Sequence, residues 1–285
     1  RRANNDLSGI SCGYGTAAVL MEVYTMLRFM KAEIKRCLRA PNFYLAIALC
    51  LSIYLIGEGY LGWINIILYP STTWVQEHNG FMMEFNPFRT LLPFPAALAA
   101  GNILIEDWEH HNCYFQTSRC SFKAFCHVKF FVPCLLGGFV LAFGCLCYLG
   151  TMSAFVPAYD DSTYYEPFIE PLLHNGQWGL YFLYFSSLQF LLGALCAGIG
   201  AITATMTTRK GMVYLMPMLL FAMLEIVTNI TIVGLSGAQS SIVFRLNTTS
   251  PVLVYCVIAS ILIVLLAISY FSFFALLRKR VFVWQ

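Results

Sequence analysis

Charge is what this sequence has least of. Only 11% of its 285 residues are Asp, Glu, Lys or Arg, against roughly a quarter in an ordinary soluble domain. Hydrophobic residues make up 59% and the mean hydropathy is +0.70. A chain so short of charge is expected to be an all-α integral membrane protein. The net charge of +3 says little by itself, because in a membrane protein the distribution of Lys and Arg between loops matters more than their sum, and nothing in the sequence supports nucleic acid as a partner. Catalytic constellations are lacking as well: no Ser/His/Asp set and no paired carboxylates stand out, so no enzyme chemistry is expected within the chain. A G-x-x-x-x-G-K-[ST] phosphate loop is also absent. The eleven cysteines are an odd number, and apart from Cys12 and Cys37 they fall in apolar runs or in one polar island. They are expected to be reduced packing residues rather than a disulfide framework.

That island, Glu106 to Lys129 (EDWEHHNCYFQTSRCSFKAFCHVK), organises what is there. Glu106, Asp107 and Glu109 stand at its front and Arg119, Lys123 and Lys129 at its back, between two long apolar runs. Such a segment cannot lie against lipid. It is expected to be a cytoplasmic loop that meets another protein. His110, His111 and Cys113, with Cys120, Cys126 or His127, could be imagined as metal ligands, but neighbouring helix positions point apart and a closed site needs ligands converging from separate turns. No metal is assigned.

Residues 1–25 are expected to be a leader or flexible tail; the stretch from Arg1 to Leu20 lacks the continuous apolar core of a cleavable signal. From Met26 to Ala40, Arg28, Lys31, Lys35, Arg36 and Arg39 share one helical face and Leu27, Met30, Ile34, Cys37 and Leu38 another. This is expected to be an amphipathic interfacial helix over 26–41, lying along the inner membrane surface and ended by Pro41. Residues 42–285 then form the transmembrane domain.

Six spans are expected, since a crossing needs ~20 apolar residues. They run from Phe43 to Leu68, Thr90 to Ile105 (short, and kinked by Pro93, Pro95 and Gly101), Phe130 to Phe155, Trp178 to Met206, Met212 to Leu235 and Pro251 to Leu277. Every Lys and Arg except Arg89 and Arg245 then falls on one side. By the positive-inside rule the N-terminus, the C-terminus and the island are cytoplasmic. The expected location is the plasma membrane, of a bacterial cell. Within the spans, Glu225 with Thr228 and Asn229 forms a polar stripe, and Glu58 lies between two glycines; both are candidates for a translocation path, with a hydrogen-bonded structural acid as the alternative for Glu225. Gly193, Ala197, Gly200, Ala201 and Ala204 make a small-residue stripe expected to pack within one subunit.

Two stretches carry a resemblance. MLRFMKAEIKRCLRAPNFY is similar to the start of the membrane subunits of type-2 ABC transporters, the permeases of ATP-driven exporters with the type V fold, and the acidic-then-basic island resembles their first cytoplasmic loop. One departure is His111-Asn112, where that family often has Gly-Thr. The resemblance implies that residues 106–129 are a coupling loop, with Glu106, Asp107, Glu109, Arg119 and Lys123 contacting a separate ATPase. It also implies two ATPase copies that bind ATP and Mg, a second membrane subunit, identical or related, and export by alternating access. A hydrophobic or amphipathic cargo such as a drug, lipid or antimicrobial peptide would suit the apolar spans. The alternative is an ATP-independent secondary transporter or channel, for which more intramembrane charge or an internal repeat is expected.

Overall fold

The structure is a computed structural model, and it describes residues 11–57, 89–155, 175–230 and 250–283, together with residue 172. Among the described residues the chain is helical and no strand occurs. Helix α1 (Ser11–Arg39) begins well ahead of Met26, so the stretch taken as a tail is helical from Ser11 onward. Pro41 then opens α2 (Pro41–Gly57), suited to a first helical position because it has no N–H to satisfy. The axes of α1 and α2 differ by 64° across this break.

The apolar run from Thr90 to Ile105 is not one span-length helix. A 3-10 turn (Arg89–Leu91) leads into α3 (Pro93–Leu98), and a turn over 99–102 separates it from α4 (Ile103–Glu109). Pro93 and Pro95 sit in the first turn of α3, where proline starts a helix instead of kinking it. The break falls at Gly101, where an added Cβ would lie 2.5 Å from the Ala97 carbonyl oxygen and 3.0 Å from Val213 Cγ1. Helix α5 (Asn112–Arg119) follows an elbow at His111, whose φ of 57° is left-handed, and α6 (Phe122–Phe155) then runs for 34 residues. Next come α7 (Trp178–Met206), α8 (Lys210–Ile230) and α9 (Pro251–Val283).

Among the described residues three helices, α6, α7 and α9, are long and apolar enough to cross a membrane, and a fourth candidate exists if the bent α1–α2 pair counts as one span. The six expected spans and the N-in/C-in arrangement go beyond these helices. Parts of the first and fifth expected spans lie outside the described residues, as do Glu58 and most of the connecting segments 69–89, 156–177 and 236–250.

Among the described residues, helices α6 and α7 share the broadest contact. Glycine makes it possible: a Cβ added at Gly193 would fall 2.5 Å from the Gly137 carbonyl oxygen, and one at Gly137 would fall 2.6 Å from Ala197 Cβ and 2.7 Å from the Ala96 carbonyl oxygen. The small-residue stripe of α7 thus packs inside this chain, against α6 and α3, with Gly193, Ala197, Gly200, Ala201 and Ala204 all buried. Backbones this close gain dispersion contacts, a principal attraction between helices where lipid removes the hydrophobic drive. By contrast α9 lies at the edge: 28% of its most apolar window is buried, against 61% for α6 and 67% for α7.

Candidate functional site

The polar island is built around α4, whose last four residues each meet a cation from a different helix. Glu106 Oε2 lies 3.3 Å from Arg36 of α1. Asp107 is fully buried between two cations: Lys129 Nζ of α6 donates to its Oδ2, and Arg36 NH1 donates to its Oδ1 at 2.7 Å. The Trp108 ring lies 4.8 Å below the guanidinium of Arg280 of α9. Glu109 pairs with Lys210 of α8 at 2.9 Å, and both of these side chains are substantially exposed. Helical geometry explains the fan. Successive residues rotate by about 100°, so four in a row point in four directions, and each direction holds a different helix end.

The inner part of this hub is closed off from water. Lys129 is only 2% exposed and makes a second ion pair with Glu33 of α1 at 3.0 Å, while Glu33 also lies 3.6 Å from Arg36. The Lys129 ammonium sits over the rings of Phe29 and Phe125, which stack on each other. Asn102, at the mouth of α4, donates to Glu106. Burial alone would weaken the Arg36 charge; Asp107 and Glu33 outweigh it and hold the guanidinium above its ordinary pKa, so Arg36 stays charged throughout the physiological range. For a buried ion pair the desolvation penalty offsets much of the attraction, so such a network fixes one arrangement of helices more than it adds net stability.

Arg280 closes the other side. Its NH1 donates to the carbonyl oxygens of Ala204 at 2.9 Å and Thr205 at 2.8 Å. These belong to the final turn of α7, where carbonyls lack helical partners and a cation is favoured. A cleft of about 140 Å³ remains beside it, lined by Ile105, Trp108, Glu109, Thr207, Thr208 and Arg280.

The other expected site residues divide. Lys123 is exposed at the start of α6, and His110, His111 and Phe115 are exposed around the elbow and on α5. Arg119 ends α5, but its side chain lies outside what is described. Glu225, Thr228 and Asn229 fall on α8, again without described side chains. Cys113 faces inward at 2% exposure, and burial, reinforced by Asp107, pushes its thiol up to about 12. His127 spends its ring on aromatic contacts: it stacks on Tyr270 and Phe131, and its Nδ1 lies 3.1 Å from the Tyr270 hydroxyl. Among the described residues, no three His, Cys, Asp or Glu side chains converge as a metal site would require.

Arg36, which periodicity groups with the outward bases, and Lys129, at the rim of the expected loop, both turn inward, and Glu33, Asn102, Lys210 and Arg280, which no motif marks, complete the site. Glu33 carried a signal, as the single acid in the basic stretch from Arg28 to Arg39. Lys129 carried one too, with Phe130, Phe131 and Val132 directly after it. Comparison with known protein families, with curated proteins and with solved structures finds no match.

Proposed function

We propose that this chain is the membrane-spanning permease subunit of an ATP-driven exporter, and that residues 106–129 transmit the motion of a separate ATPase to the bundle. The observation that carries this reading is the hub: one four-residue run, Glu106 to Glu109, is tied to cations of α1, α6, α8 and α9. A push on the α4–α5 elbow would be felt at four helix ends together, as a coupling element requires. The acids that the resemblance assigns to coupling act here as the grip on the bundle. The surface offered to a partner is the exposed set His110, His111, Phe115 and Lys123. On this reading the chain crosses the membrane six times with both termini and the elbow in the cytoplasm. Two such subunits, identical or related, flank a path for a hydrophobic or amphipathic cargo, and ATP and Mg bind on two partner ATPases.

Purification of the full chain from membranes of its source cells, with ATP hydrolysis measured on what comes with it, tests this, comparing wild type with Phe115→Asp/Lys123→Glu. Both changes lie on the outer surface and leave the hub intact. Wild type is expected to bring down an ATP-hydrolysing complex that the variant loses. A well-folded wild-type chain that binds no ATPase removes the exporter reading and leaves an ATP-independent transporter or channel in its place.

A further inference from the structure

The described side chains of α1 fall into three sectors around its axis. Met26, Phe29, Met30, Glu33 and Cys37 pack toward the other helices. Next to them, at about 100° per residue, Val23, Leu27 and Leu38 form an exposed apolar strip. Beyond that strip Arg28, Lys31, Lys35 and Arg39 are all exposed. The single acid of this stretch, Glu33, is turned inward onto Lys129 and Arg36, and Arg36 is withdrawn from the basic strip into the hub. The charges on the outer face are therefore all positive, around the exposed Tyr24 and beside an exposed apolar margin.

We propose that this face binds the headgroups of anionic phospholipids, and that the bound lipid steadies the hub through Glu33 and Arg36, which lie on the same turns of α1 as Lys31, Lys35 and Arg39. Four bases without a neighbouring acid complement a negatively charged surface. The strip of Val23, Leu27 and Leu38 selects a lipid over a soluble polyanion, because only a lipid supplies acyl chains beside its charged head. The inference requires the chain to sit in a bilayer but not to couple to an ATPase, so either idea can fail without the other.

The test adds phosphatidylglycerol, or phosphatidylcholine as the neutral comparison, to the purified full chain in detergent and follows retained lipid by native mass spectrometry. Wild type is expected to prefer phosphatidylglycerol, and R28Q/K31Q/K35Q/R39Q to lose on the order of several hundredfold of that preference, since each of the four bases near an anionic surface is worth roughly fivefold. K31R/K35R should keep it. In wild type the preference should collapse in high salt, a check that stands even if the fourfold variant misfolds. No preference in wild type, or an equal one in a well-folded fourfold variant, overturns the proposal. In nanodiscs, amides of residues 103–119 should exchange more slowly with phosphatidylglycerol than with phosphatidylcholine; equal exchange overturns the link to the hub.

Discussion

The two ends of one helical face show two ways of holding a bundle together. Near its start, α6 contributes Lys129, a buried cation fixed by Asp107 and Glu33 from two other elements. Two turns later it contributes Gly137, which has no side chain and lets α7 approach to backbone contact. The first region depends on having every partner present, whereas the second depends on having nothing in the way. Polar pairing therefore specifies which helices meet, and close packing specifies how near they come.

Removing a buried partner should separate the two regions most sharply. Lys129→Met leaves Asp107 and Glu33 competing for Arg36, and the expected loss is about 3–5 kcal/mol, the range for an uncompensated buried charge; unfolding of the solubilised chain in mixed micelles reads it. Adding Asp107→Leu should restore part of the loss, and no recovery would count against an electrostatic origin. Crowding the seam comes next. Gly193→Val places atoms against the Gly137 carbonyl, and the expected cost is about 1–3 kcal/mol by the same measurement, insensitive to salt. A smaller change is expected from Arg280→Gln, which gives up charge-assisted bonds to the Ala204 and Thr205 carbonyls and the stack on Trp108, about 1–2 kcal/mol. Last is Lys210→Gln at the exposed pair with Glu109, where screening leaves less than about 1 kcal/mol. If that rim substitution proved as costly as Lys129→Met, the division between buried hub and exposed rim would fail.

Thiol chemistry sharpens the same boundary. Cys113 is buried beside the hub with its thiol pushed up to about 12, so at pH 8 it should resist a maleimide in the folded chain and react once the chain is unfolded. The sign follows from the direction of the shift. A raised pKa favours the neutral thiol in the folded state, so this contribution is complete below the unfolded value near 9 and disappears as the pH rises toward 12. Cys120 is only partly buried and should label first. Labelling of Cys113 as fast as Cys120 would mean that α5 detaches from α4.

Local signals made some of this legible. The break at Pro41 follows from a residue whose effect is confined to its own neighbourhood. The apolar lengths of α6, α7 and α9 were equally plain. The hub was not, because its pairs join residues 71 and 22 positions apart, and no periodicity within one segment encodes such a meeting. Arg36 shows the ambiguity at its smallest. It lies at the margin between the basic and protein-facing sectors of α1, and only the position of α4 decides which way it turns. The stretch from Thr90 to Ile105 was legible in composition only: it suits a membrane span, but a turn at 99–102 divides it, and hydropathy averaged over a window cannot see one hinge.

The hub also imposes an order on biosynthesis. Its members are spread from Glu33 to Arg280, and a chain emerging at the ribosome adds them one at a time. Asp107 must wait for Lys129, which follows soon after. Trp108 and the carbonyls at the end of α7 must wait for Arg280, near the close of α9. Until then the earlier helices can associate through their glycine seam while the cleft beside Trp108 stays open on one side. Arrival of Arg280 would supply that missing wall, so a newly made chain would gain its finished polar hub only when its final described helix is in place.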